Sequence, residues 1–284
     1  MLKIKTGKLY LVTGGSGFLG ITLIKRIIEE GGKVRALARN EGNLIKLKQL
    51  FPSVEIVTGD ISDICIVKKS INNVSGIFHL AAFKHVGLAE KQPVQCVKSN
   101  TIGTLNILEA IDGKEIDFLF SISTDKAAQV VGVYGATKLF MERVIQEFEE
   151  HNQQIQYRIV RYGNVLYSTG SVLCKWKDLM QAGKEVIVTD LEATRFYWTV
   201  EEAIALIFDC LENAKNSTPY CPTMKATKIK DLLYAMHKKY GIGELKYKEI
   251  GLQPGENKHE KVLDQGPYSN EVEQYTIEEL MKMI

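Results

Sequence analysis

The stretch Leu11–Ile27, LVTGGSGFLGITLIKRI, joins an apolar run of strand length to an amphipathic run of helix length. The glycines at this junction are Gly14, Gly15, Gly17 and Gly20. Glycine permits a sharp turn and a close approach of the backbone to a pyrophosphate, whose negative charge faces the helix N-terminus. Glycine-rich turns also occur as plain connections, but here both flanking elements of the fingerprint are present. The stretch therefore predicts a dinucleotide-binding turn.

Strand-like and helical stretches alternate outward from this turn. The strand-like runs are KLYLVTG (8–14), VRALA (34–38), VEIVTGD (54–60), GIFHLAA (76–82), DFLFSIS (117–123) and YRIVRYG (157–163). The stretches with helical spacing of apolar residues cover 18–30, 42–50, 62–71, 94–111 and 134–150. This alternation predicts an α/β fold, namely a doubly wound, Rossmann-like parallel sheet with helices on both faces.

The domain boundary is expected near residue 165. We assign residues 1–165 to the dinucleotide-binding domain and residues 166–284, where prolines and glycines interrupt short segments, to a smaller C-terminal lobe. The helical stretch 199–214 is expected to pack back on the sheet.

Composition restricts the classes of function. The 36 Lys and Arg against 34 Asp and Glu leave a formal net charge of +2 without a basic stripe, which argues against nucleic acid as a partner. The five cysteines lack CxxC spacing, so we expect no metal site and no disulfide framework, and a cytoplasmic location fits best. No run approaches the roughly 18 apolar residues of a membrane span, so we expect no membrane insertion.

The end of the second strand indicates which dinucleotide is bound. An acidic residue there would bind the adenosine ribose, but this chain has Ala38 followed by Arg39, which suits a 2′-phosphate. NADP is therefore favoured over NAD, although Arg39 as a solvated surface charge is the alternative. Asp60, after the third strand, is expected either near the adenine amino group or as the N-cap of the next helix.

The stretch Ser123–Lys138, STDKAAQVVGVYGATK, follows the fifth strand and carries the candidate reactive groups. Tyr134 and Lys138 lie four residues apart on one face of a predicted helix. An ammonium beside a phenol favours the phenolate, a base that takes a proton from an alcohol. A second acid-base pair, Asp125 and Lys126, precedes them.

These motifs together resemble those of the short-chain dehydrogenase/reductase superfamily. TGGSGFLG, HLAA and NTIGTLNILEA resemble its extended branch, and STDKAAQVVGVYGATKL, RYGNV and TRFYWT are similar to UDP-N-acetylglucosamine 4,6-dehydratases of polysaccharide biosynthesis. The resemblance implies a nucleotide-sugar substrate bound by the C-terminal lobe. It also implies cofactor contacts from Gly14, Ser16, Gly17, Phe18, Leu19, Gly20, Arg39, Asp60, Ile61, Leu80, Ala81, Ala82, Tyr134 and Lys138.

The resemblance assigns roles to the reactive groups. Tyr134, with Lys138 and Thr124, would serve a hydride transfer at C4 of the sugar. Lys126 would remove the C5 hydrogen, and Asp125 would protonate the departing C6 hydroxyl. An adjacent Asp and Lys favour each other's charged forms, which opposes these roles. Consecutive side chains at a strand end point to opposite faces, so we expect no direct pairing; a surface ion pair of little consequence is the alternative.

The resemblance also implies contacts to the substrate. The candidates are Lys84, His85, Asn164, Val172, Arg195 and Glu256, with Arg195 suited to a diphosphate. The alternatives are a structural histidine at position 85 and a packing salt bridge at Arg195. The chain has Thr169 and Gln253 where these dehydratases usually have arginines, and the lysines that could replace them are Lys175, Lys177 and Lys258.

Two other functions remain open at this stage. A nucleotide-sugar 4-reductase or 4-epimerase of the same fold would need Tyr134 and Lys138 but not Asp125 and Lys126. A dinucleotide-binding sensor without turnover is a third reading. The helices near 93–111 and 134–150 are those that pair between subunits in this superfamily, so we expect a homo-oligomer, a dimer or larger.

Overall fold

The computed structural model describes residues 2–284 and has a six-stranded parallel sheet at its centre. Its strands are β1 (Leu9–Thr13), β2 (Lys33–Ala38), β3 (Glu55–Thr58), β4 (Gly76–His79), β5 (Phe118–Thr124) and β6 (Gln156–Tyr162). Their order is β3-β2-β1-β4-β5-β6, and every neighbouring pair is parallel. The order reverses between β1 and β4, which opens a crevice at the carboxyl ends of the strands. The predicted α/β class and all six strands are confirmed.

Helices cover both faces of this sheet. The helices up to residue 151 are α1 (Phe18–Glu29), α2 (Glu41–Leu50), α3 (Ile64–Ser70), α4 (Val86–Lys91), α5 (Pro93–Val97), α6 (Gly103–Ile111) and α7 (Val133–His151). Alternate residues of β1 enter two cores: Tyr10 and Val12 pack with α1 and α2, whereas Leu11 packs with α3, α6 and α7. Burying each such side chain contributes about 1.5–3 kcal/mol to stability. Because successive side chains of a strand point to opposite faces of the sheet, the apolar residues of each strand determine which helices pack on which face.

The stretch 93–111 is not the continuous helix that the sequence predicts. A π-helical turn, Lys98–Ile102, separates α5 from α6. Within it the Asn100 side chain accepts from the Phe83 backbone N at 2.7 Å and donates to the Phe83 carbonyl at 3.0 Å. The turn therefore ties the helix to the segment that follows β4, and such turns often occur at functional sites.

Beyond residue 162 the elements are shorter. They are β7 (Asn164–Val165), α8 (Val172–Gln181), β8 (Val186–Val188), β9 (Thr194–Arg195), β10 (Tyr197–Trp198), α9 (Val200–Asn213), β11 (Thr227–Lys228), α10 (Ile229–Tyr240), β12 (Tyr247–Glu249) and α11 (Ile277–Met283). The small strands pair as β10 with β7, β11 with β9, and β12 with β8. Helices α8, α10 and α11 enclose a separate core that includes Trp176 and Met236. Helix α9 packs on β6 and α1, as expected for 199–214.

Within residues 2–284, no helix has both the length and the apolar composition that crossing a bilayer requires. The same residues contain no cluster of three or more His, Cys, Asp or Glu side chains suited to a metal ion.

Candidate active site

The glycine turn forms a close-packed cradle between β1 and α1. Gly14 has φ +70°, and a Cβ there would lie 2.9 Å from the backbone N of Ala81. A Cβ on Gly20 would lie 2.5 Å from the Gly14 carbonyl O. Gly17 caps α1 without a side-chain hydrogen bond, and the first helical turn holds no acidic residue. Free N–H groups at a helix N-terminus suit a phosphate, so the residues present fit a dinucleotide pyrophosphate.

The other predicted cofactor residues surround this cradle at the carboxyl ends of the strands. Ser16, Phe18 and Leu19 continue the turn into α1. Arg39 directly follows β2, and Asp60 with Ile61 lies in the loop after β3. Leu80, Ala81 and Ala82 follow β4. All of them therefore lie on the side of the sheet where the strands end and the crevice between β1 and β4 opens.

Arg39 and Asp60 lie side by side at the mouth of this crevice. Arg39 Nη1 lies 3.6 Å from Asp60 Oδ2, and both side chains are exposed to solvent. Asp60 Oδ1 accepts from the Ser62 backbone N at 2.9 Å, whereas the N-cap of α3 is Asp63. The prediction that Asp60 caps the helix is therefore wrong, because the loop runs three residues further before α3 begins.

The Asp125–Lys126 pair lies at the carboxyl end of β5. The strand ends at Thr124, and Asp125–Ala127 form a single 3₁₀ turn rather than continuing the strand. The turn brings Lys126 Nζ to 3.0 Å from Asp125 Oδ1, so the expectation that the two side chains do not pair is wrong. The Asp125 side chain is fully buried and that of Lys126 is 15% exposed, which excludes a surface ion pair.

A second carboxylate, which the sequence reading missed, contacts Lys126 from 134 residues further along the chain. Glu260 Oε1 accepts from Lys126 Nζ at 2.9 Å, and Arg195 Nε lies 3.3 Å from the same oxygen. Glu260 Oε2 also accepts a longer bond, 3.4 Å, from Asn164 Nδ2. The Glu260 side chain is only 3% exposed. Two acids and two bases thus alternate in one buried cluster.

The charges of this cluster act on one another. Burial alone would lower the pKa of Lys126, but the carboxylates of Asp125 and Glu260 raise it above its ordinary value. Burial opposes ionisation of Asp125, yet the Lys126 ammonium and hydrogen bonds lower its pKa overall. Burial raises the pKa of Glu260, and the charge of Asp125 raises it further, to about 8. The two carboxyl groups therefore differ in their affinity for a proton.

Tyr134 begins the first turn of α7 and lies against this cluster. Burial raises the pKa of its phenol to about 12, while Lys126 and a hydrogen bond with Thr124 act in the opposite direction. Lys138 Nζ instead donates to the Ile122 carbonyl at 2.5 Å and to Met141 Sδ at 3.2 Å. Burial lowers the pKa of Lys138 to about 8. The Lys126 ammonium thus lowers the pKa of the phenol, and Lys138, which the spacing places beside Tyr134, is hydrogen-bonded to the end of β5.

The predicted substrate residues divide into those inside the cluster and those around it. Arg195 and Asn164 both contact Glu260. Arg195 Nη1 also donates to the carbonyls of Thr194 and Lys258, each at 2.9 Å, so its guanidinium is engaged within the fold. Glu256 lies outside the cluster, and its Oε2 accepts from the Gln253 backbone N at 3.1 Å.

Lys84 and His85 border the loop at 168–171. Lys84 Nζ donates to the Thr169 carbonyl at 3.1 Å, and burial lowers its pKa. His85 precedes α4, and a Cβ on Gly170 would lie 3.0 Å from its Cε1. Val172 is exposed at the start of α8. The loop therefore contacts Lys84 through the backbone carbonyl of Thr169, the position at which the related dehydratases usually have an arginine.

Two lysines that could replace the missing arginines have partners of their own. Lys177 Nζ lies 4.9 Å from the centre of the Tyr240 ring, and Lys258 Nζ lies 3.6 Å from Asp190 Oδ2. Lys175 is exposed on α8.

Comparison with known proteins places the chain in a family. The model of a family described as polysaccharide biosynthesis protein matches residues 10–282. The chain belongs to this family.

Two relatives and one solved structure illustrate the polysaccharide biosynthesis protein family. The UDP-N-acetylglucosamine 4,6-dehydratase (inverting) of Campylobacter jejuni serotype O:2 is 31% identical over 274 residues, which cover 93% of this chain and 80% of that protein. An uncharacterized membrane protein of Methanocaldococcus jannaschii is 36% identical over 287 residues, covering 97% and 84%. The X-ray structure of Pen from Bacillus thuringiensis superposes with a TM-score of 0.93 at 27% identity, covering 100% and 98%. The resemblance predicted from the motifs is confirmed.

The site of this family member thus unites Thr124, Asp125, Lys126 and Tyr134 with Arg195 and Glu260. A narrow surface cleft beside the cluster is lined by Val86, Lys126, Val131, Gly132, Tyr134, Gly135 and Gly255. The signal that could have identified Glu260 is its place at the end of LQPGENKHE (252–260), the stretch that also holds the candidate Glu256 and the Gln253 that stands in place of an arginine.

Proposed function

We propose that the protein is an NADP-dependent nucleotide-sugar 4,6-dehydratase that acts on UDP-N-acetylglucosamine and gives a 4-keto-6-deoxy sugar nucleotide. The observation that carries this proposal is the buried Asp125–Lys126 pair beside Tyr134. A 4-reductase or 4-epimerase needs the tyrosine alone for its proton and leaves the pair without a use. A sensor without turnover would have no use for Asp125, Lys126 or Tyr134.

The dinucleotide would be held by the glycine cradle, the uncapped N-terminus of α1, and the loops after β2, β3 and β4. The bound dinucleotide would supply a hydride acceptor for C4 of the sugar and, later, a hydride donor for C6. Arg39 supports NADP over NAD, because it is an exposed guanidinium directly after β2, a position at which an arginine suits a 2′-phosphate.

Tyr134 would take the proton of the C4 hydroxyl. Its pKa of about 12 without substrate makes the phenolate scarce at neutral pH, and the Lys126 ammonium is the cation that favours it. Thr124 lies within hydrogen-bonding reach of this phenol. Its hydroxyl donates to Asp125 Oδ1 at 2.8 Å, so it links the phenol to the acid.

Asp125 and Lys126 would carry out the elimination that the 4-ketone makes possible. The C5–H bond breaks and Lys126 takes the proton; the C6–O bond breaks and Asp125 gives its proton to the departing hydroxyl, which leaves as water. Lys126 then returns its proton to C5 as a hydride reaches C6, so that in one cycle Tyr134 gains a proton and Asp125 loses one. Thr124, whose hydroxyl donates to Asp125 Oδ1, would pass a proton from Tyr134 to Asp125 and so restore both groups.

One incubation tests the activity. Purified protein is mixed with UDP-N-acetylglucosamine without added reductant, and the products are analysed by mass spectrometry. Loss of one water supports the dehydratase. An isomer of unchanged mass would indicate an epimerase, reduction only with added NADPH would indicate a reductase, and no change would favour the sensor.

We further propose a homo-oligomer and a reducing, cytoplasmic setting. The exposed apolar side chains on α5, α7 and the π-helical turn include Val94, Val97, Ile102 and Phe140, which are 63%, 39%, 39% and 51% exposed. Such a surface suits a second copy of the chain. The five cysteines are all free thiols, as a reducing compartment permits. Light scattering of the purified protein tests the oligomer, and a monomer would refute it.

A further inference from the structure

The cluster as the structure shows it opposes the chemistry that the proposed function requires. Elimination needs Lys126 as a neutral amine and Asp125 as a carboxylic acid. Lys126 Nζ, however, lies 3.0 Å from Asp125 and 2.9 Å from Glu260. Two carboxylates at hydrogen-bond distance would hold the ammonium firmly in its charged form. The working site therefore needs one of these negative charges removed.

The hydrogen bonds indicate where a proton belongs. Glu260 Oε1 accepts from Lys126 Nζ and contacts Arg195 Nε, whereas Oε2 has only the 3.4 Å contact from Asn164. Asp125 Oδ1 accepts from Thr124, from the Lys126 backbone and from Lys126 Nζ. Asp125 Oδ2 is buried and finds no hydrogen-bond partner among residues 2–284. The carboxyl groups of Asp125 and Glu260 are close neighbours, because both lie within 3.0 Å of the same Lys126 Nζ.

We propose that Glu260 is a positioning residue for the acid-base pair: it carries a proton that it donates to Asp125 Oδ2, so that Lys126 faces a single carboxylate. This proton satisfies the buried oxygen that otherwise has no partner, and it removes the repulsion between two adjacent carboxylates.

The neutral Glu260 makes the reactive state accessible. Lys126 then passes its proton along the 3.0 Å hydrogen bond to Asp125 Oδ1, which leaves a neutral amine and a carboxylic acid. No atom is added or lost in this step, since an N–H bond breaks and an O–H bond forms. If Glu260, at 2.9 Å, were ionised, the same transfer would neutralise the ammonium that stabilises its negative charge. The transfer would then be much less favourable.

The electrostatic surroundings support a protonated Glu260 at neutral pH. Burial and the charge of Asp125 raise its pKa to about 8, while Lys126 and Arg195 act against this without cancelling it. The other titratable groups that face the two carboxyls are Tyr134, Tyr197 and Cys221, and burial raises the pKa of each above its ordinary value, so they are neutral. Glu260 should therefore ionise only as the pH rises through about 8.

The decisive variant is Glu260→Gln, which resembles the protonated acid in shape and cannot ionise. Its amide nitrogen can donate to Asp125 Oδ2, and its oxygen can accept from Lys126. We expect kcat within about threefold of the wild type near neutral pH, and no fall in rate above pH 8, where the wild type should lose about tenfold per pH unit. Glu260→Ala should lose at least about 100-fold in kcat, since Asp125 Oδ2 is again unpartnered.

Two outcomes would overturn the proposal. If Glu260→Gln loses as much activity as Glu260→Ala at every pH, the negative charge itself is needed. If both variants keep the wild-type pH profile, Glu260 does not act on the pair. Glu278→Gln, an exposed acid on α11, is the matched control and should leave rate and profile unchanged.

The proposal rests on the proposed function for its kinetic readout, but a second measurement needs no substrate. In protein labelled with ¹³C at glutamate carboxyls, the signal lost in Glu260→Gln belongs to Glu260. We expect this signal in the wild type to titrate near pH 8; titration near the ordinary value for glutamate would refute the proton on Glu260. A wild type that releases no water while this signal titrates near pH 8 would refute the dehydratase alone.

Discussion

Replacing Lys126 by alanine should separate the elimination from the hydride step. Lys126 is the proposed base for the C5 hydrogen, and removing a positioned general base costs about 100-fold to 10,000-fold in rate. The proton acceptor for the C4 hydroxyl, Tyr134, and the glycine cradle stay in place. We therefore expect Lys126→Ala to bind NADP normally and to reduce it slowly on addition of UDP-N-acetylglucosamine, without releasing water.

The same change should alter stability in a way that depends on pH. Lys126→Ala removes an ammonium that lies 3.0 Å from Asp125 and 2.9 Å from Glu260, and breaking a buried pair costs about 3–5 kcal/mol. Arg195, 3.3 Å from Glu260, offsets part of this loss. Without Lys126 the pKa of Asp125 rises, and the pKa of Glu260, already above its ordinary value, rises further, so the variant should be closest to the wild type in stability at acidic pH and furthest at alkaline pH.

The assay combines three readouts from one protein preparation. Mass spectrometry measures water loss, the same reaction in D₂O reports deuterium at C5, and absorbance follows reduction of the nicotinamide. Denaturant unfolding at several pH values measures the stability. Lys230→Ala, an exposed lysine, serves as the control. Water loss by Lys126→Ala within about tenfold of the wild type would remove Lys126 from the mechanism and refute the reasoning.

Three further substitutions test other parts of the structure. Arg39→Ala should weaken NADP binding by about tenfold and NAD binding far less in calorimetry, and an equal loss for both would contradict the 2′-phosphate role. Arg161 Nη2 lies 2.6 Å from Glu142 Oε2, so Arg161→Leu leaves Glu142 buried without its partner and should lower the free energy of unfolding by about 3–5 kcal/mol. The control Lys25→Ala, at an exposed position, should change the free energy of unfolding by less than about 0.5 kcal/mol. His79 lies between Thr13 and Thr104, and burial lowers its pKa to about 3. The free energy of unfolding of the wild type should therefore fall by up to about 1.4 kcal/mol per pH unit as the pH drops below about 6.5. His79→Gln should lack this contribution when unfolding is measured at each pH.

The sheet could be read from the sequence because its signals are local. Each strand is a short apolar run, and the glycines from Gly14 to Gly20 fix where β1 turns into α1. The break in 93–111 was not readable, because its cause is Asn100 binding the Phe83 backbone, 17 residues earlier. Apolar spacing is the same on both sides of a π-helical turn, so periodicity alone predicts one helix.

The site could be read only where its residues are neighbours in sequence. Thr124, Asp125, Lys126 and Tyr134 lie within one stretch, and the structure brings them together. The pairing of Asp125 with Lys126 depends on a 3₁₀ turn, which strand geometry does not predict. Glu260 reaches the cluster through the packing of a distant segment on Arg195 and Thr194, and no local pattern reports such a contact.

The distance along the chain between Lys126 and Glu260 also orders the steps of biosynthesis. All six strands of the main sheet end by Tyr162, whereas Glu260 is added 98 residues later. A growing polypeptide should therefore complete its cofactor cradle well before its acid-base cluster. During that interval Asp125 Oδ2 lacks the proton donor that Glu260 provides, so ribosome-bound intermediates would hold the nucleotide cofactor without yet having the proton arrangement for dehydration.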